Sequence, residues 1–500
     1  MRSRPTSAPT WSLERSEVAA VDFDGGRGRP HRRRSPPTAA TDREATAMTE
    51  FDVVVVGGGT GNNVAAAAAD AGLETALIEK GPLGGTCLNR GCNPSKMLIQ
   101  RANVLNGVRD AGRFGVDASV EGVDYAGMVD EISSTLSSIA ENMEADYRDR
   151  ERLTLYREET RFVDDRTLAV DGEEISGERV VVAAGSRPSV PPIDGIDEVE
   201  FLTSDDALYL DEPPNSLVVL GGGYIAVELG YVFWSMGTDV SIVERNDALV
   251  HREDGDVAEA LTEIARERHD VYTGYSATAA TEDADGVTLH AEGDDGDVAL
   301  TADELLVATG RRPNTDTLAL DATGIELDER GFVETNEYLE TTAENVWAQG
   351  DIAGNSQFKH AGDYETRHTV ANVVHDERRA IDLSTMPHVI FTEPQVAGVG
   401  ATEEELEAAG REYVVGTARY EDTAMGRAKK LDTGFAKAIA APDGEILGCH
   451  VVGESASTLV HEAVVAMHAG PGQVSDVADA IHAHPTLNKV MEAAFRDVPR

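Results

Sequence analysis

Cys87 and Cys92 have four residues between them, in the run Gly84-Gly85-Thr86-Cys87-Leu88-Asn89-Arg90-Gly91-Cys92-Asn93-Pro94-Ser95-Lys96. Two thiols at that spacing can close a small disulfide ring on the first turn of a helix. A helix N-terminus favours thiolate, so such a disulfide is suited to being opened and reclosed. Zinc would need a second ligand pair, and the one other cysteine is Cys449. A purely structural disulfide is the plainer alternative, which a large, intracellular-looking chain rarely needs. Cys449 follows the apolar run Ile446-Leu447-Gly448 and reads as a buried small hydrophobe.

Positioning this pair requires a rigid frame, and the chain supplies the same unit twice. Val53-Val54-Val55-Val56 reads as a buried parallel strand and runs into Gly57-Gly58-Gly59. A helix over 64–71 and a second strand, Thr75-Ala76-Leu77-Ile78, follow and end at Glu79. Glycines at Gly57 and Gly59 let the backbone approach a pyrophosphate at a helix N-terminus, and Glu79 can accept from a ribose hydroxyl. The third glycine position is Asn62. The unit recurs at Leu217–Glu228, with Gly221, Gly223 and Ala226 in the fingerprint and the second strand ending at Glu244-Arg245. One such fingerprint is weak evidence; two, each inside a βαβ pattern, point to two nucleotide sites. A second duplication supports this: Val180–Pro188, through Gly185, is echoed by Leu305–Pro313, through Gly310. Helical stretches are expected over 95–111 and 125–150, and β structure over 153–170. Beyond Gly350-Asp351 the chain carries no nucleotide fingerprint and is suited to packing or assembly.

The 500 residues carry 90 acidic against 43 basic side chains, a net charge of −47, and only seven lysines. The excess is spread along the chain, which suits a solvated surface in very high salt and predicts a halophilic source. Nucleic-acid binding needs clustered cations and is not expected. No apolar run is long enough to span a bilayer, so a cytoplasmic location is expected. Residues 1–47 are rich in Arg and Pro, without an apolar h-region, and read as a disordered or untranslated leader before Met48.

In order, a first fingerprint, CxxxxC, a second fingerprint, Gly350-Asp351 and Ile481-His482-Ala483-His484-Pro485-Thr486-Leu487 resemble the pyridine nucleotide-disulfide oxidoreductases of the glutathione reductase and dihydrolipoyl dehydrogenase type. The resemblance runs from about Phe51 to Phe495. It implies an α/β fold of two Rossmann-like nucleotide-binding domains and a C-terminal α+β dimerisation domain. The expected division is 48–203 with 311–385 for FAD, 204–310 for NAD(P)H, and 386–500 for the interface. The resemblance implies that Cys92 is the thiolate facing the flavin and Cys87 the thiol that attacks substrate. His484, from the other subunit of a homodimer, would be the base. Lys96 and Glu228 would be the buried pair beside the flavin, Tyr224 the ring over it, and Asp351 the ligand of the ribityl chain. Lys80, Gly85, Thr86, Gly185, Arg311 and Gly310 complete the implied cofactor-binding positions.

Two departures stand out. The family usually has Glu five residues after the histidine; here it is Lys489, which is expected either to meet an anionic substrate or to pair with Glu492 or Glu462. The Gly59-Thr60-Gly61-Asn62-Asn63 turn looks most like the mycothione reductase branch. Mercuric reductases carry a C-terminal cysteine pair that collects the metal, high-molecular-weight thioredoxin reductases need a C-terminal redox centre, and no such cysteines are present. The expected reaction is therefore reduction of a low-molecular-weight disulfide. Bis-γ-glutamylcystine is favoured by the halophile-like composition, with dihydrolipoyl dehydrogenase and mycothione reductase as alternatives. A non-catalytic flavin-binding regulator is the alternative of a different class, but it would not require Cys87, Cys92, Lys96 and His484. For the nucleotide, Ala226 and Arg245 favour NADPH and Glu244 favours NADH; NADPH is expected, with NADH the alternative.

Overall fold

Val53 to Val56 are inaccessible on both faces of their strand, as a parallel strand covered by helices must be. Each such valine contributes about 1.5–3 kcal/mol by leaving water. In the computed structural model, which describes residues 48–499, Thr49–Val56 is the spine of a seven-stranded sheet. It pairs in parallel with Thr75–Ile78 on one side and Glu173–Val182 on the other. Leu153–Tyr156 extends one edge in parallel, Thr167–Val170 and Thr160–Asp164 extend the other as a hairpin, and Val346–Ala348 pairs with Glu173–Val182. The expected leader over 1–47 lies outside the described residues.

The second unit repeats the plan. Ser216–Leu220 pairs in parallel with Asp239–Glu244 and Glu304–Val307, and Asp270–Thr273 extends the edge. An antiparallel three-stranded sheet, Ser276–Asp283, Gly286–Glu292 and Val298–Ala302, packs beside it through a shared apolar core. The echoed segments meet each other: Ser186–Pro188 and Arg311–Pro313 pair antiparallel, each just after its glycine. The C-terminal part is a five-stranded antiparallel sheet in the order His388–Ile390, Gln395–Gly400, Ile446–Gly453, Phe435–Ala440, Val414–Arg419. Helices cover it, among them Asn488–Asp497, which buries Val490, Met491, Ala494 and Phe495.

The expected helices form over Cys92–Arg109 and Tyr125–Asp149. The cysteine motif is not one helix. Cys87 lies in a short helix, Gly85–Arg90, the chain breaks at Gly91, and Cys92 opens the next helix. Among the described residues no helix is long and apolar enough to cross a membrane.

Candidate active site: a cysteine pair between two nucleotide cradles

The first cradle forms where the chain leaves its opening strand. Gly57 has φ +110°, and a Cβ there would lie 2.2 Å from the carbonyl oxygen of Ala183, so only glycine fits. Glu79 closes the turn, its Oε2 accepting from Gly58 N at 2.7 Å and its Oε1 from Gly81 N at 2.6 Å. Gly59 leaves the backbone bare, and Gly85 rests against it: a Cβ on Gly85 would lie 2.7 Å from Gly59 Cα. This contact seats the cysteine helices on the fingerprint, with Thr86 in the first turn beside it.

Asn62 replaces the usual third glycine because the close approach has moved one residue earlier. A Cβ on Gly61 would lie 2.8 Å from Val55 Cγ1 and 2.9 Å from the Cβ of Ala183. Asn62 is buried against the helix Tyr125–Asp149, its Nδ2 donating to Met143 Sδ at 3.2 Å and its backbone carbonyl accepting from Tyr147 Oη at 2.9 Å.

Asp351, Ser186 and Arg311 converge beneath the paired strands. Ser186 Oγ donates to Asp351 Oδ2 at 2.5 Å, and Arg311 Nε donates to Ser186 Oγ at 2.8 Å. The turns at Gly185 and Gly310 both have positive φ and open space about the missing Cβ. Lys80 is exposed and pairs with Glu159 at 3.0 Å, so no described contact turns it toward the cradle.

The second cradle copies the first. Gly221 has φ +113°, with its Cβ direction blocked 2.5 Å away by the oxygen of Ala308, while Gly223 faces open space. Ala226 is fully buried in the first turn of the helix Tyr224–Met236. Glu244 plays the part of Glu79: its Oε2 accepts from Gly222 N at 2.6 Å, and its Oε1 accepts from Asn246 N at 2.8 Å. Its carboxylate is therefore buried and turned back on its own loop, while Arg245 beside it is exposed.

Lys96 and Glu228 come together from sequence positions far apart, with Nζ 2.7 Å from Oε2. Glu228 Oε1 also accepts from Phe391 N at 2.9 Å, and the ammonium lies 4.9 Å from the centre of the Phe391 ring. Glu228 is 7% exposed and Lys96 34% exposed, so the charges meet at the edge of solvent. Both thiols are free. The Cys92 thiol is pulled down to about 7 by a hydrogen bond from Cys87, which outweighs burial, with the nearby Lys96 charge adding to the pull. Cys87 is pushed up, first by the same hydrogen bond and then by burial. Of the two thiols, Cys92 is therefore the one that ionises first and Cys87 the one that keeps its proton longer.

Tyr224 opens its helix and lies against Phe358, with ring centres 5.7 Å apart. Its hydroxyl donates to Glu253, a buried carboxylate that sequence reasoning did not single out. His484 is exposed and, among the described residues, has no hydrogen-bond partner; one chain does not bring it to Cys87. The ordered histidine is His482, whose Nε2 lies 2.9 Å from Glu462 Oε2. Lys489 pairs with Glu492, which also meets Arg496 at 2.8 Å. Of its two expected settings, the ion pair is the one formed. Cys449 is fully buried, and burial pushes its thiol up to about 12.

Comparison with known proteins agrees with this geometry. Residues 51–374 match the family described as pyridine nucleotide-disulphide oxidoreductase, and residues 386–495 match its dimerisation domain. The chain is 36% identical to dihydrolipoyl dehydrogenase 2 of Haloarcula marismortui, over 90% of this chain and 97% of that one. It is 34% identical to mycothione reductase of Mycobacterium tuberculosis, over 90% and 99%. The HOCl-induced flavoprotein disulfide reductase RclA from Escherichia coli has a similar structure, with a TM-score of 0.79 at 28% identity, over 89% of this chain and 99% of that one. The dimerisation-domain match supports a homodimer, and the family uses FAD and NAD(P)H. The chain belongs to the pyridine nucleotide-disulphide oxidoreductases.

Proposed function

We propose that this enzyme uses NADPH and FAD to reduce a low-molecular-weight disulfide, bis-γ-glutamylcystine in first place, through Cys87 and Cys92. The observation that carries this reading is a pair of free thiols, Cys87 and Cys92, seated on the first cradle and next to the Lys96–Glu228 ion pair. The bare backbone at Gly57 and Gly59, with Asp351 and Arg311, fits FAD. Gly221, Gly223 and Ala226, with exposed Arg245, fit the nicotinamide nucleotide. When bound, these cofactors supply the hydride and the two-electron relay.

The chain's own groups divide the remaining work. Cys92 holds the negative charge, stabilised by Cys87 and Lys96. Cys87 keeps its proton, so it needs a base before it can attack a disulfide. Its only described side-chain partner besides Cys92 is Asn93 Oδ1 at 3.9 Å, which is no base. His484, exposed and unpartnered in one chain, fits that need from a second copy. It would take the Cys87 proton, and the attack would form a Cys87–substrate disulfide and expel one thiolate. His484 would return its proton to that leaving thiolate. Cys92 would then attack Cys87 sulfur, re-forming the intramolecular disulfide and releasing the second half of the substrate as thiolate.

Glu244 is engaged with its own loop and Arg245 is free of described ion pairs, which supports NADPH. The net charge of −47 supports a high-salt setting. The test is a turnover panel in molar salt with bis-γ-glutamylcystine, lipoamide, glutathione disulfide and mycothione, each with NADPH and NADH. The highest kcat/KM with bis-γ-glutamylcystine and NADPH is expected. Lipoamide with NADH in first place would replace this reading by that of a dihydrolipoyl dehydrogenase.

A further inference from the structure

Behind Tyr224, three strands of the C-terminal sheet set up an arrangement that disulfide reduction does not use. In adjacent antiparallel strands, His388 stands directly opposite Gly398, and Gly398 directly opposite His450. Cross-strand neighbours project to the same face of a sheet, so the two imidazoles flank a position with no side chain. They lean over it: a Cβ on Gly398 would lie 2.4 Å from His388 Nε2 and 2.9 Å from His450 Nδ1. Glu253 enters from the nucleotide-binding part, its Oε2 2.8 Å from His388 Nε2. The three donor atoms lie within 4.8 Å of one another.

The hydrogen bonds around the group leave one ring nitrogen without a partner. His450 Nε2 lies 3.0 Å from the carbonyl oxygen of Ala401, which can only accept, so the ring proton sits on Nε2. Nδ1 then presents a bare lone pair. It is fully buried with no hydrogen-bond partner, an arrangement native interiors rarely leave standing. Fixing the far nitrogen on a backbone carbonyl is also how metal-binding histidines are usually oriented. Glu253 has its own outer contact, since its other oxygen accepts from Tyr224.

A neighbouring cluster shows the contrast. Asp254, Asp256 and Glu403 also converge, but the Lys437 ammonium already fills their centre, 2.7 Å from both aspartates. No cation of the protein fills the Glu253–His388–His450 group among the described residues.

The geometry points to a divalent metal site made by Glu253 Oε2, His388 Nε2 and His450 Nδ1. Two imidazoles and one carboxylate suit Zn²⁺ or a similar first-row ion, and not Mg²⁺ or Ca²⁺, which prefer oxygen. Donors at about 2.0–2.2 Å would draw together to about 3.3 Å apart around a tetrahedral ion. His388 would shift its ring proton to Nδ1, and a water would take the fourth position. Because Glu253 also holds the Tyr224 hydroxyl, the ion would be one carboxylate away from that ring.

Zn²⁺ is the probe, and the Cys87→Ser/Cys92→Ser double variant with FAD bound is the protein, so that thiolates cannot take the metal. After chelator stripping, calorimetric titration in molar salt should show one tight Zn²⁺ per chain. His388→Gln removes a partly exposed ligand. Gly398→Ala instead places a methyl between the two imidazoles and removes no ligand. Each should weaken Zn²⁺ binding roughly 100-fold, with FAD content and far-UV circular dichroism unchanged. No stoichiometric binding, or equal affinity in folded His388→Gln protein, would overturn the proposal. Should Gly398→Ala fail to fold, His388→Gln decides alone.

Discussion

Replacing Lys96 with Met should make Cys92 a poorer thiolate by a calculable amount. The ammonium helps hold the Cys92 thiol at about 7, against burial that pushes the other way. A unit charge several ångströms away, through an effective dielectric of about 20, is worth a few kcal/mol. Glu228, 2.7 Å from Lys96, opposes it, and Lys96 is partly in solvent. About 1.4 kcal/mol is left, a tenfold change in the ionisation constant. Near pH 7 the ionised fraction of Cys92 should therefore be several-fold smaller in Lys96→Met than in the parent. The sign follows: the lost cation disfavours the anion, so ionisation moves to higher pH. Cys87→Ser is the background to use, because serine still donates a hydrogen bond and Cys449 is buried. The assay is the pH profile of iodoacetamide alkylation. At pH 7 the rate should fall about fivefold, and it should recover by pH 9. Identical profiles with and without Lys96 would show that its charge does not act on Cys92.

Further outcomes follow from the same geometry. Cys92→Ser should abolish turnover and the long-wavelength thiolate–flavin absorbance, whereas Cys87→Ser should abolish turnover and keep the absorbance; substantial reductase activity in both would refute the division of roles. Gly85→Ala, which forces a Cβ against Gly59 Cα at positive φ, should lower FAD content severalfold, measured as the ratio of flavin to protein absorbance. Arg245→Ala should cut the NADPH-to-NADH ratio of kcat/KM about tenfold or more, the worth of one charge-assisted hydrogen bond. Lowering ionic strength from 0.1 M to 0.01 M lengthens screening from about 10 Å to about 30 Å; sedimentation should then show dissociation or unfolding of this strongly acidic chain.

The parts of the site carried by local chain pattern were readable from sequence. Glycines at fixed offsets after an all-valine strand leave few alternatives, and Glu79 and Glu244 end the strands where a βαβ unit must place them. Parts that depend on tertiary approach were not readable. The break at Gly91 has a local stop signal, Arg90 before it and Pro94 three residues after, but the angle between the two helices that it joins does not follow from that signal. Asn62 was a puzzle until the structure showed Gly61 making the close contact. Lys489 paired with Glu492 because the two are three residues apart on one helix, a local rule that the substrate-binding alternative had to beat. Glu253, His388 and His450 are drawn from three distant segments and follow no shared period: strand register aligns the two histidines, and tertiary packing brings in Glu253.

The central claim is that NADPH delivers its electrons to the Cys87–Cys92 disulfide. Anaerobic titration of the oxidised, FAD-loaded enzyme with NADPH, with thiols counted by alkylation after each addition, tests it most directly. One equivalent should free two thiols per chain, at Cys87 and Cys92, and raise the long-wavelength absorbance while the flavin returns to its oxidised state. A flavin that stays reduced after the first equivalent, with no new thiols, would contradict the account.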